Sequence, residues 1–167
     1  MIRFALAKAV DVPRLRVLVE SAYRGESAKQ GWTHEADLLD DERTSDEELA
    51  NAIADDNTRV LLAEIEGKLA GTVTIRTLGK GRAYLGMLCV NPELQAEGLG
   101  RALIADAEDM AAEQFGTQIM EMTVIDARAD LIAYYERRGY ARSGETRPFP
   151  YGDPDTFRMV VLERSLR

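Results

Sequence analysis

Gln95, Gly98 and Gly100 stand in the pattern Gln-x-x-Gly-x-Gly. They follow an apolar run, Leu85-Gly86-Met87-Leu88-Cys89-Val90, and the punctuation Asn91-Pro92, and they open an amphipathic segment over residues 99–115. A strand, a glycine-bearing loop and a helix start, in that order, suit an anion. The first backbone N–H groups of a helix lack an intrahelical partner, and the helix dipole adds partial positive charge there. Gly98 and Gly100 let a phosphate approach the backbone closely. Residues 95–100 are therefore a candidate pyrophosphate cradle; the alternative is a tight strand–helix turn whose glycines serve only sterics. Two common phosphate loops are absent: no Lys follows Gly100 as G-x-x-x-x-G-K-[ST] requires, and there is no G-x-G-x-x-G.

Other reactive residues are few. The single cysteine, Cys89, excludes an internal disulfide, and with the single histidine, His34, it leaves no metal-ligand cluster. Cys89 could accept an acyl group, but a lone cysteine in an apolar strand is more often a small buried hydrophobe.

The elements that must position the loop follow from periodicity. Alternation over residues 2–7 predicts a first strand. Asp11 can cap a helix with Pro13 in its first turn, and Val12, Leu15, Leu18, Val19 and Ala22 share one helical face. Residues 25–44 are weakly periodic and predict a loop. Ser45-x-x-Glu48 is a capping box opening a second helix to about residue 54. Residues 59–66 and 69–78 are strand-like and joined by Glu66-Gly67-Lys68, a hairpin signal, and residues 82–90 form the next strand. Leu99, Leu103, Ala107 and Met110 give the following helix a core face. Residues 119–125 predict a strand, Asp126 a cap for a last helix, and Gly139 its left-handed C-terminal position. Residues 140–142 and 157–162 predict closing strands around a turn-rich loop over 147–154. The order βααβββαβαββ implies a mixed α/β fold, one central sheet with flanking helices, in a single domain over residues 1–167.

Composition narrows the function classes. At 46% apolar and 30% charged residues the chain is ordinary for a soluble globular protein. No apolar run approaches the roughly 18 to 20 residues of a membrane span. Arg3, Lys8 and Asp11 interrupt any signal-peptide core, so a cytoplasmic location is expected. A net charge of −8 argues against nucleic acid as a partner. Residues 34–56 hold ten acids and one base, Arg43, which accounts for the whole excess. That segment is either a solvated face with a helix start, or a field that draws a cationic amine.

Two blocks resemble the GCN5-related N-acetyltransferase (GNAT) family. Gln95-x-x-Gly98-x-Gly100 matches its [QR]-x-x-G-x-[GA] signature, and Leu88-Cys89-Val90-Asn91-Pro92 matches the apolar-x-Val-x-Pro lead-in. Leu131-Ile132-Ala133-Tyr134-Tyr135-Glu136-Arg137-Arg138-Gly139-Tyr140 is similar to the family's apolar-Tyr-Glu-x-x-Gly-aromatic ending. Together the blocks cover roughly the C-terminal half. Seven residues before Tyr135 the family usually carries Asn; here Arg128 stands.

The resemblance implies a twisted mixed sheet, splayed between its fourth and fifth strands, with acetyl-CoA as co-substrate in the cleft. It implies that the backbone of Leu88, Cys89 and Val90 pairs with the pantetheine arm as an added strand would, and that an N–H of this strand polarises the thioester carbonyl. Gln95, Ala96, Glu97, Gly98, Leu99 and Gly100, with Arg101 and Ala102 after them, would hold the pyrophosphate, and Arg128 is a further candidate contact. Tyr135 aligns with the family tyrosine near the coenzyme sulfur. A phenol of pKa near 10 can protonate a thiolate of pKa near 8.5, so Tyr135 is the candidate general acid. The adjacent Tyr134 is off register and expected to pack.

The acceptor side is less constrained. His34, beside Glu35, has a suitable unperturbed pKa for a base, or is an exposed loop residue. Trp32 in a polar loop must pack or bind something. With Tyr23, Phe149 and Tyr151 it forms either the walls of an amine pocket, through cation–π contact, or a set of loop anchors. Three functions compete: acetyl transfer to a small-molecule amine, which leads; the same chemistry on a protein or peptide amine; and a non-catalytic acyl-CoA-binding module. Members of the family are often homodimers, and nothing in this sequence marks an interface.

Overall fold

The computed structural model describes residues 1–29, 44–94, 98–148 and 158–166, with side chains for all of these except 22–29 and 92. The described elements are β1 (Ile2–Leu6), α1 (Val12–Lys29), α2 (Asp46–Ala54), β2 (Thr58–Ile65), β3 (Lys68–Gly79), β4 (Arg82–Val90), α3 (Leu99–Phe115), β5 (Ile119–Ile125), α4 (Ala129–Arg137), β6 (Ala141–Pro148) and β7 (Arg158–Ser165). They form a mixed α/β fold with a seven-stranded sheet of order β1-β2-β3-β4-β5-β7-β6. β1–β2, β2–β3, β5–β7 and β6–β7 are antiparallel, and β4–β5 is parallel. The chain divides into two compact units, Met1–Arg76 with Met87–Ala107, and Thr77–Gly86 with Glu108–Arg167.

In the first unit, β2 and β3 turn at Glu66 (φ 52) and Gly67 (φ 80), both left-handed as a two-residue hairpin requires. Val60 and Leu62 of β2 face Val12 and Leu15 of α1 and Leu49 of α2. Fully burying such a side chain contributes about 2 kcal/mol. On the other face of the hairpin, Gly71 of β3 makes room for α3. A Cβ there would lie 2.8 Å from Leu103 Cδ1 and 3.0 Å from the Cys89 carbonyl oxygen. The sheet and the helix that starts at Leu99 therefore approach closely because position 71 has no side chain. Thr72, buried beside it, donates its hydroxyl to the Leu61 carbonyl at 2.7 Å. Ser45 caps α2 as expected, its hydroxyl accepting the Glu48 N–H at 3.1 Å.

Two expectations change in this unit. Asp11 does not cap α1. It closes a short 3-10 turn over Ala9–Asp11, where its carboxylate accepts the Lys8 N–H at 2.7 Å and pairs with Arg14. Arg14 also reaches Glu64 of β2 at 2.8 Å, so the turn is tied to the sheet before the helix begins. α1 then continues to Lys29, past Gly25 and into the expected loop, and places Tyr23 on the helix. A single interior glycine costs only about 1 kcal/mol, and the surrounding Arg, Glu, Ala and Lys are good helix formers.

In the second unit β5 alternates Met120, Met122 and Val124 into the core. It pairs with β7 along its whole length, from Ile119↔Ser165 to Ile125↔Met159. The sequence expectation for α4 also shifts. Asp126 does not cap it; its N–H donates to the Arg158 carbonyl at 2.8 Å, anchoring the loop to β7, and Arg128 takes the N-cap position without a side-chain cap bond. β6 runs on through Arg147 and Pro148, which the turn-rich composition assigned to a loop. Proline is tolerated there because β6 is an edge strand. Along α3 the buried face is Leu99, Leu103, Ala107 and Ala111, with Ile104 and Glu108; Met110 is only half-buried.

Candidate functional site

The strand–turn–helix segment is present in the order its residues imply. β4 carries a left-handed residue, Met87 (φ 52), immediately before Leu88-Cys89-Val90. Such a residue rotates its peptide groups out of the regular ladder, as a bulge does. Cys89 is buried against Leu18 and Val19 of α1, with Met87 and Leu69 packed around them, so it behaves as a small hydrophobe. Leu88 and Val90 are half-buried.

After the strand, the Asn91 N–H donates to the Ala70 carbonyl at 2.7 Å, and the Asn91 side chain accepts the Glu93 N–H at 2.9 Å. This Asx turn bends the chain into a 3-10 turn over Pro92–Leu94. Gly98 then stands at the N-cap of α3 with φ +81, and its carbonyl accepts the Ala102 N–H at 2.9 Å. That bond is the first of the helix, so the N–H groups of Leu99, Gly100 and Arg101 face the open helix end. Arg101 folds beside the turn: its Nη2 lies 3.4 Å from where a Cβ on Gly98 would sit. Backbone N–H donors, the positive end of a helix and a guanidinium together form a donor set that fits a phosphate.

Tyr135 belongs to the second unit. It is the buried member of α4 with Ile132, at 8% exposure. Its carbonyl accepts the N–H groups of Arg138 at 2.9 Å and Tyr140 at 3.1 Å, while Gly139 (φ +99) donates to the Glu136 carbonyl at 3.0 Å. This is a Schellman turn, with glycine at the left-handed position the sequence marked. The Tyr135 ring meets Tyr134 and Tyr140 edge-on, at centroid distances of 5.4 and 6.4 Å. Tyr134 is covered by the Arg138 guanidinium, 4.8 Å from its ring centroid, which agrees with a packing role. Arg128 sits half-buried at the other end of the same helix, with φ −92 and ψ 69.

Sequence reading missed several polar groups of this unit. Glu121 on β5 is nearly buried, its side chain 3% exposed, yet it pairs with Arg82 at 3.0 Å and Arg147 at 2.9 Å; Arg82 also pairs with Glu163. Tyr84 reaches Thr123 at 2.6 Å, its ring lying over Gly86, where a Cβ would come within 2.9 Å of it. Glu108, on the buried face of α3, was missed as well. A charged residue inside an apolar helical stripe was the available signal.

Gln95, Ala96 and Glu97 of the cradle lie outside the described residues, as do Trp32, His34, Glu35, Phe149 and Tyr151 on the acceptor side. Of the acidic segment, Asp46, Glu47 and Glu48 occupy the first turn of α2, where the helix dipole favours them. Among the described residues no group of three or more His, Cys, Asp and Glu could hold a metal ion, and no helix is long and apolar enough to cross a membrane.

Residues 16–140 match the acetyltransferase (GNAT) family. No curated protein matches the sequence. Among solved structures, the PaiA N-acetyltransferase of Thermoplasma acidophilum, in complex with coenzyme A, superposes with a TM-score of 0.80 at 17% identity, covering 99% of each chain. The ribosomal-protein-S18-alanine N-acetyltransferase of Escherichia coli gives 0.76 at 20% identity, covering 99% of this chain and 94% of that one. A spermidine N-acetyltransferase SpeG chimera, from Vibrio cholerae and hSSAT, gives 0.75 at 17% identity, covering 99% and 95%.

Proposed function

We propose, for a chain that belongs to the acetyltransferase (GNAT) family, that it passes an acetyl group directly to the primary amine of a small molecule, with Tyr135 as general acid. Acetyl-CoA-dependent N-acetylation is the activity of the family. The acceptor class, the role of Tyr135, a single domain over residues 1–167 and a cytoplasmic location are our reading.

Bound acetyl-CoA supplies an activated thioester. The N–H groups at the start of α3, with Arg101, hold its pyrophosphate, and the Leu88-Cys89-Val90 backbone takes the pantetheine arm. Arg128, in place of the usual asparagine, adds a cationic contact. An N–H of β4 stabilises the oxygen that gains charge as the amine nitrogen bonds to the carbonyl carbon. The carbon–sulfur bond then breaks, Tyr135 gives its proton to the leaving sulfur, and the nitrogen loses a proton to the acceptor side. His34 or Glu35, directly or through water, is our candidate for that base. Trp32, Tyr23, Phe149 and Tyr151 would form the pocket, and the acids of residues 34–56 would draw a cationic amine toward it.

The observation that carries this reading is the Asn91 turn leading to Gly98 at φ +81, with Arg101 folded beside it. Its test is Arg101→Gln. Acetyl-CoA should bind about threefold to fivefold more weakly, as the loss of one exposed charge contact implies, with kcat at saturation unchanged. An unaltered acetyl-CoA affinity would remove Arg101 from the cradle.

A further inference from the structure

Glu108 is a buried carboxylate with both oxygens engaged. Oε2 accepts the Tyr140 hydroxyl at 2.8 Å, and Oε1 accepts Arg164 Nη1 at 2.7 Å. A carboxylate in a helix's apolar stripe is costly unless it is paired and hydrogen-bonded, and an apolar residue would fill the same space at less cost. What this one holds in place is therefore informative. Tyr140 donates its backbone N–H to the Tyr135 carbonyl and sets its ring against the Tyr135 ring, with planes at 70°. Arg164 lies over the Schellman turn; a Cβ on Gly139 would stand 3.0 Å from its Nε. The contacts close a circle from Tyr135 through Tyr140, Glu108, Arg164 and Gly139 back to the turn that ends α4.

We infer that Glu108 is a positioning residue for the Tyr135 phenol, clamping Tyr140 and Arg164 about the turn that fixes Tyr135. The inference rests on the reading of Tyr135 as general acid. Burial first, then the Glu108 charge, hold the Tyr140 phenol above its ordinary pKa, so at neutral pH it donates to Glu108 and keeps its ring oriented.

The test uses the full chain and two readouts. Site-specific meta-fluorotyrosine at position 135 reports the ring's surroundings by fluorine NMR, with no acceptor required. Turnover of acetyl-CoA with a panel of small amines reports function. Glu108→Gln should shift or broaden the fluorine line and lower kcat by about tenfold, within the loss that removing the acid itself would bring, with the KM for acetyl-CoA unmoved. In a Tyr135→Phe background it should cost nothing further. Tyr140→Phe removes only the hydroxyl that meets Glu108 and leaves the Glu108–Arg164 pair in place, so it carries the same test if Glu108→Gln fails to fold. An unmoved line in these variants, or additive losses in the double variant, overturns the positioning role. Full turnover in Tyr135→Phe overturns the acid role instead.

Discussion

Tyr135 is held by its backbone and by aromatic neighbours on two sides, so removing only its hydroxyl leaves its packing in place. Tyr135→Phe should therefore fold and bind acetyl-CoA normally while losing turnover by about tenfold or more, the usual scale of general acid catalysis. Turnover at the wild-type rate would remove the phenol from the mechanism. Tyr135 stands out as a candidate because its Glu-x-x-Gly-aromatic tail sits within a few residues of it. Gly139 was legible for the same reason, since a left-handed helix end is a local demand. Glu108 and Arg164 are 56 residues apart, and nothing local announces that they meet. Asp11 and Asp126 show the opposite failure. Both have the chemistry of a cap, but the Asp11 carboxylate accepts the Lys8 N–H and the Asp126 carboxylate the Arg158 N–H instead.

At the scale of elements, the start of α1 depends on the Asp11–Arg14–Glu64 tether. Burial pushes the Asp11 carboxyl up, but the Lys8 N–H and the Arg14 guanidinium outweigh it and leave its pKa below the usual 3.8. A carboxylate lowered by folding contributes stability that is present above its unfolded value and lost as pH falls through its folded value. Urea midpoints of wild type and Asp11→Asn should differ by a steady amount from about pH 5 upward and converge below about pH 4. A gap that stays constant across that range would show that the Asp11 charge is not what ties the turn. Most element positions followed from period and capping signals: β4, α3 and β5 match their expected spans residue for residue. β6 did not, because Pro148 signals a turn unless one knows that the strand lies at the sheet's edge. The tight approach of α3 to β3 at Gly71 was equally silent, since a lone glycine in a strand does not say what packs over it.

For the whole molecule, the element order was readable and the neighbour relations were not. β7 inserts between β5 and β6, and alternation reports which face a strand buries without naming its partner. The net charge of −8 is accounted for by residues 34–56, which is why a cationic amine is the acceptor we favour. The most direct measurement supplies acetyl-CoA with single polyamines, amino acids, aminoglycosides and peptides, and follows free thiol together with the mass of each acceptor. Our account predicts thiol release matched by one added acetyl group on a small amine. Acetylation confined to peptides, or coenzyme binding with no turnover on any member, would contradict it.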